Sequence, residues 1–384
     1  MSTDSANGEA NSSLPGRLRS RFEGPNTIGD SRGFWVGFLV AVAALAVYPL
    51  FGDGSQLSLF MVLALLGLSL SVVWGYSGVL SFGQVVFFGI GAYTFGVVSI
   101  NFATPGGITG AVVAGILGGG VSAAILGYFM FYGGVRDVYV TIITLVSTIV
   151  LHTFMAQTAG SEWAIGEAAL GGFNGMPDIP LLTLGVGGAS YQFIYNPFPM
   201  RIIGIGAVEI SPFYYLVLVL LVGAYLGLRA LVNSDYGRVM VAVREDEDRT
   251  EMFGYNVTRV KLVVFTLGGA LAGLSGVLYA ARNVYIDPTV FSLLFATLPV
   301  IWVSIGGRKS LLGAVVATLA VEYLRISMAG ELALVLLGGL LLVTILVLPG
   351  GFVPWLHQRI VNARVGPGGS NGPDVPDAPG EVSD

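Results

Sequence analysis

Apolar residues run through this chain in long blocks, each closed by a short cluster of Gly, Pro, Ser, Asn or charged residues. A hydrocarbon core of about 30 Å takes roughly 20 residues of helix. Ten blocks approach that length: 34–51, 57–74, 85–101, 109–132, 137–156, 212–232, 259–281, 291–306, 311–328 and 330–348. The pattern predicts an all-α polytopic membrane protein of about ten transmembrane helices. The last two blocks are joined so closely that one broken unit is the alternative for them. Between the fifth and sixth blocks, residues 157–211 are rich in Gly, Pro and aromatics (GGFNGMPDIP, YQFIYNPFPM). That composition predicts turns and an external cap; the apolar stretch 179–188 within it is too short to span.

Composition adds weight to the membrane reading. With 54% hydrophobic residues, 11% charged and a mean hydropathy of +0.80, the apolar surface exceeds what a soluble core of this size hides. The chain has no cysteine and only two histidines, His152 and His357, so disulfides, thiolate chemistry and multi-histidine metal sites are excluded. The ends differ from the middle. Residues 1–33 and the acidic 351–384 hold too few apolar residues to pack and read as disordered tails around a transmembrane domain at 34–350. No compact secretory signal opens the chain, so the first block reads as a retained span. With the N-terminus inside, all of the 18 Lys and Arg residues except Arg201, Arg282 and Arg325 fall on the cytoplasmic side. A multi-pass cell-membrane protein with both termini in the cytoplasm is expected.

The densest charge lies at 236–256, YGRVMVAVREDEDRTEMFGYN, within a predicted cytoplasmic loop at 233–258. From Arg238 to Phe253 no helix breaker occurs, Glu245 precedes Arg249 by four residues, and Gly254 follows; one short helix is expected. It is either a solvated connection or a surface for a soluble partner. No phosphate-cradling Gly-rich loop with its Lys and Ser or Thr occurs in the chain, so ATP-driven transport would need a separate ATPase subunit, with this helix as its docking element.

Three polar constellations lie inside the apolar blocks. Glycines 75, 78, 83, 89 and 91 interrupt WGYSGVLSFGQVVFFGIGAY (74–93), as in broken helices that expose backbone to a solute, or as in an ordinary glycine-rich turn; Ser81 and Gln84 are its candidate side chains. Thr141, Thr144, Thr148 and His152 recur at spacings of three and four and share one helical face, toward a partner helix or a wet path. Glu322 and Arg325, three apart in the ninth block, are placed to pair; charge at membrane depth marks either function or a structural ion pair. The turn Gly306-Gly307-Arg308-Lys309 supplies basic anchors at the cytoplasmic face. No catalytic set, cofactor motif or nucleic-acid surface is found.

Several segments resemble one family, the membrane permeases of ABC importers for branched-chain amino acids and for urea or short-chain amides. They are WGYSGVLSFGQVVFFGIGAY, VYVTIITLV (138–146), GGFNGM (171–176), the block from Tyr236 to Tyr279, and IWVSIGGRKSLLGA (301–314). The resemblance implies an importer in which two homologous permeases form the path, two ATPases dock on cytoplasmic loops, and an external binding protein delivers solute. It places Arg238, Arg244, Glu245, Asp246, Arg249 and Gly254 on the ATPase-coupling loop. It also makes Ser81, Gln84, Thr141, Thr144 and Thr148 candidates for the path. The motifs at Trp74-Gly75-Tyr76, Gly83-Gln84 and Ile301-Trp302-Val303 are similar to urea-type permeases, so urea or a short-chain amide is the expected solute and branched-chain amino acids the alternative. An ion-coupled carrier or channel using Glu322 and Arg325 is the rival from another class.

Overall fold

A computed structural model describes residues 22–359, apart from 25, 28, 30–31, 53, 136–137, 187–188, 194–197, 203–205, 328–337, 340–341, 343–350, 356–358. Eleven helices are described. They are α1 (Arg32–Val47), α2 (Gly54–Leu70), α3 (Gln84–Asn101), α4 (Pro105–Tyr132), α5 (Val138–Ala156), α6 (Pro212–Val232), α7 (Asp235–Glu245), α8 (Glu247–Met252), α9 (Val257–Asn283), α10 (Leu293–Gly306) and α11 (Leu311–Ser327). Among the described residues seven helices are long and apolar enough to cross a membrane, or up to eight if α10 and α11 together make one span. The first seven blocks of the sequence reading correspond to these seven helices. The expected count of ten is not reached among the described residues, because α10 and α11 count as at most one span and most of the tenth block, 330–348, lies outside the described residues.

The eighth and ninth blocks differ from expectation. They are α10 and α11, bent by 119° at the break between them. A sharp join falls at Gly307, whose φ of +100° is open to glycine and strained for other residues, while the close junction expected between the ninth and tenth blocks lies outside the described residues.

Helix starts follow local chemistry. Thr104 accepts a hydrogen bond from the Gly107 N–H and Pro105 opens α4; Ser234, Asn256 and Ser292 cap α7, α9 and α10 in the same manner. Helix α2 is hydrophobic on every side and buried along most of its length, as a central span should be. At its end the coil widens into a π-helical turn, Ser71–Tyr76, which delivers the chain into the glycine-interrupted segment before α3.

Helices α3, α4 and α9 pack where side chains are smallest. A Cβ at Gly91 would sit 2.6 Å from the Gly273 Cα, one at Gly119 would lie 2.7 Å from the Gly269 carbonyl oxygen, and one at Gly276 only 1.9 Å from that of Phe88. Helices in lipid gain little from the hydrophobic effect between them, so close backbone approach supplies the packing energy.

Residues 157–211 form small antiparallel hairpins rather than turns alone: β1 (Ala164–Ile165) with β2 (Ala168–Ala169), β3 (Thr183–Val186) with β4 (Ala189–Gln192), and β5 (Phe198–Ile202) with β6 (Gly206–Ile210). The stretch 179–188 does not enter as a span; Gly185 meets Thr109 near the start of α4, where the Gly185 N–H donates to the threonine hydroxyl at 2.9 Å. The turn 171–176 is locked to the connection after α9 by paired Met176 and Ile286 backbone bonds of 2.7 and 3.2 Å and by the Tyr285 hydroxyl on the Asn174 carbonyl.

The N-terminal expectation needs correction for its described part. Within the segment read as a disordered tail, the carbonyls of Phe22 and Gly29 accept bonds from the Arg229 guanidinium at 2.6 Å, which also stacks on Phe34 and Trp35. Arg229 is a fully buried cation on α6, and wrapping the chain around it satisfies its donors. The remainder of the tail, 1–21, and the acidic stretch 361–384 lie outside the described residues.

Candidate functional site

The π-helical turn ends at a point where three pieces of chain converge. A Cβ at Gly75 would lie 1.9 Å from the Arg308 carbonyl oxygen, so only glycine lets the α10–α11 turn approach this close. The Gly75 carbonyl accepts from Arg244 Nη1 at 2.5 Å, and the Tyr76 hydroxyl donates to the Lys309 carbonyl at 3.2 Å. Gly78, at φ +79°, lies against the Arg244 side chain. Arg244 also donates from Nη2 to Glu245 at 2.6 Å, and Lys309 Nζ reaches the same carboxylate at 3.2 Å. The charged loop, the end of α2 and the α10–α11 turn are thus tied together through Arg244 and Glu245. Glu245 titrates below the usual carboxylate range because the Arg244 guanidinium and then Lys309 hydrogen-bond its charged form.

The single helix expected from Arg238 to Phe253 is two helices. Asp246, in extended conformation at φ −160° and ψ 105°, ends α7, and its side chain caps α8 by accepting from the Arg249 N–H. Glu245 and Arg249 consequently sit on different helices and do not make the expected pair; Arg249 lies 3.5 Å from Asp246 instead. Arg238 pairs with Asp235 at the exposed start of α7. Gly254, at φ +86°, ends the pair of helices as expected. The tip of this loop carries three residues whose apolar exposure the sequence reading passed over: Met252 and Phe253 are 86% and 77% exposed, and Tyr255 is also exposed. An apolar tip ringed by Arg, Glu and Asp is the composition of a protein interface.

The candidate path residues fall into two groups. Ser81, Gln84, Thr141 and Thr144 meet around the segment between α2 and α3. Thr141 Oγ1 donates to the Leu80 carbonyl at 3.1 Å, Thr144 Oγ1 accepts from the Phe82 N–H at 3.2 Å, and Ser81 Oγ accepts from the Gly83 N–H. Their hydroxyls hold an irregular strand of backbone in place. Gln84 is buried, with Oε1 accepting from Ser69 at 3.3 Å and Nε2 without a partner among the described residues. Thr148 stands apart from this cluster; it is buried and donates to the Leu145 carbonyl of its own helix, and His152 lies a turn further along.

Glu322 and Arg325 form the expected pair at 2.6 Å. Glu322 is fully buried, and its Oε1 and the indole nitrogen of buried Trp302 lack hydrogen-bond partners among the described residues. No cluster of three metal-ligating side chains occurs among the described residues.

Residues 55–346 match the family described as branched-chain amino acid transport system, permease component. The chain is 30% identical over 339 residues to the high-affinity branched-chain amino acid transport system permease protein LivM of Escherichia coli (strain K12), covering 84% of this chain and 76% of that one. The LivM of Salmonella typhimurium is 29% identical over 341 residues with the same coverage. A probable branched-chain amino acid transport permease protein LivM of Methanocaldococcus jannaschii is 28% identical over 115 residues, 30% of this chain and 33% of its own length. No solved structure matches the chain. These relatives are named for branched-chain amino acids, which favours the alternative solute over the urea or amide reading that the motifs near Trp74 and Trp302 suggested.

Proposed function

We propose, from the premise that this chain belongs to the family of branched-chain amino acid transport system permease components, that it imports branched-chain amino acids as one permease of an ATP-driven importer. Its partners on this reading are a homologous second permease, two ATPase subunits on the cytoplasmic side, and an external binding protein. The loop 233–258 faces the cytoplasm, as do both termini, in keeping with the distribution of Lys and Arg.

One observation carries the coupling part of this reading. The exposed tip at Met252, Phe253 and Tyr255 sits on helices whose other side is bonded, through Arg244, to the Gly75 carbonyl. Force on the tip from closing ATPases would therefore reach the irregular segment 77–83 and the α10–α11 turn within a few bonds. A chain of packed and hydrogen-bonded groups with two arrangements is what transmits such a change. Arg238, Arg244, Glu245, Asp246, Arg249 and Gly254 build this surface. Ser81, Gln84, Thr141 and Thr144 line or brace the path, and Thr148 braces α5. Glu322 is paired within its own helix, as a structural ion pair would be, and lends an ion-coupled carrier no support.

The test is initial uptake of labelled leucine and labelled urea in a strain lacking this chain and in the same strain with it restored. Loss and recovery of leucine uptake alone is the expected result. Loss and recovery of urea uptake alone would overturn the solute assignment, and loss of neither would overturn the transport reading.

A further inference from the structure

A cavity of about 230 Å³ opens beside the coupling helices, lined by Gly78, Val79, Leu80, Val138, Val140, Thr141, Glu247 and Lys261. Its two walls differ in chemistry. One is aliphatic, from Val79, Leu80, Val138 and Val140. The other holds an ion pair between Lys261 Nζ, on α9, and Glu247, on α8. Lys261 is only 6% exposed, one of the few cations taken so far out of solvent in this chain. Burying a lysine is costly unless it is paired, and a pair whose sole role was to join α8 to α9 would be expected to pack against neighbours and leave no cavity beside it. This pair borders a space several times the roughly 30 Å³ share of one water.

We infer that this cavity is a binding site for the zwitterionic head and aliphatic side chain of a branched-chain amino acid, on the coupling-loop side of the permease. The inference rests on the proposed solute class. An α-amino acid carries a carboxylate and an ammonium on one carbon, so it can exchange with an ion pair without leaving either partner uncompensated: carboxylate to Lys261, ammonium to Glu247. Its side chain then faces the Val and Leu wall. Urea has no charge to satisfy Lys261 and no apolar surface for that wall. The site also borders both halves of the coupling apparatus. Glu247 begins α8, while Leu80 is held by Thr141 and Gly78 lies against Arg244. Occupancy would loosen α8 from α9, so solute accumulating on this side would act on the coupling loop itself.

Equilibrium binding of labelled L-leucine to the complete importer in nanodiscs, without the binding protein, tests this. Unlabelled leucine should compete, whereas leucinamide, isovalerate and urea, each lacking a charge or both, should not. Lys261→Gln should weaken leucine binding about tenfold or more, the loss typical of removing one partner of a desolvated charge pair. Val138→Trp, at an exposed position on the cavity rim, should do the same with the ion pair intact and folding undisturbed. Leucine binding unchanged in both variants would overturn the site while leaving leucine import standing. Import of urea and not leucine by the same preparation would overturn the solute reading on which the site depends.

Discussion

The three-helix core of α3, α4 and α9 and the polar junction around Gly75 both depend on glycine, and for opposite ends. In the core, glycines bring helix backbones together along whole turns, so that at Gly91, Gly119 and Gly273 an added Cβ would meet backbone atoms first. At the junction, a single glycine brings one carbonyl of a turn against the end of α2, and Arg244, Tyr76, Glu245 and Lys309 fasten the contact with hydrogen bonds. Van der Waals packing of that first kind is lost all at once when a methyl group is inserted. Hydrogen bonds of the second kind fasten surface elements to one another without closing helix backbones along whole turns, which suits a part that moves as a unit against the core during transport.

The difference can be broken most severely in the core. Gly276→Leu forces a side chain into the Phe88 carbonyl and should cost about 3 kcal/mol or more, seen as loss of the monodisperse peak in detergent chromatography. Gly223→Leu, where nothing lies within 4 Å of an added Cβ, should leave the peak unchanged. At the junction, Gly75→Ala should give a folded protein with uptake reduced by about tenfold, because strain of ~1–3 kcal/mol falls on one contact; uptake per assembled complex measures it. Arg244→Ala removes a charge-assisted bond worth about 1.5–3 kcal/mol and should make the loop 233–258 more readily cleaved by trypsin at Arg238 and Arg249.

Smaller effects separate the two kinds of threonine. Thr144→Val deprives the Phe82 N–H of its acceptor and should cost about 1–2 kcal/mol, while Thr148→Val loses only a bond to its own helix and should cost under ~0.5 kcal/mol; thermal unfolding of the two variants ranks them. The smallest effect is that of pH on the junction. Glu245 has a depressed folded pKa, so its contribution to loop docking is present above the ordinary glutamate value and is lost as pH falls through the lower, folded one. Tryptic cleavage is not usable at such pH, so hydrogen exchange of α7 amides between pH 5 and about pH 3 is the readout. Because Glu245 is exposed, salt should shrink this dependence.

Much of the fold was legible because the bilayer demands long apolar helices and the sequence punctuates them. The block 212–232 coincides with α6, bounded by Ser211-Pro212 at one end and Asn233-Ser234 at the other. The α10–α11 bend was not legible, since two apolar runs around Gly306-Gly307 look alike whether they form an open hairpin or a sharp 119° break. The break at Asp246 was missed because Asp competes with the backbone only when it can cap a following helix, and six charged residues in a row, Arg244 to Arg249, gave no sign of which would do so. Of the site, the sequence offered the participants without their partners. It brought forward Arg244 and Thr144 by position, but the carbonyl of Gly75 and the N–H of Phe82 that they bind lie far along the chain. Lys261 went unnoticed as a cation near the end of an apolar block, and its significance appears only once Glu247 is seen beside it. The Arg229 clamp was hidden for the same reason, because its acceptors are carbonyls of an N-terminal segment too polar to read as packed.

On the proposed function, the coupling helices and the α10–α11 turn, tied through Arg244, Glu245 and Lys309, move as one body against the glycine core. The chain has no cysteine, so pairs of spin labels can be placed without background. Met252→Cys with Arg308→Cys measures distance within that body, and Met252→Cys with Tyr132→Cys measures it from the coupling tip to core helix α4; all three positions are exposed. In the complete importer, addition of ATP should leave the Met252–Arg308 distance distribution unchanged while shifting the Met252–Tyr132 distribution. A shift of the first with the second fixed would contradict the account.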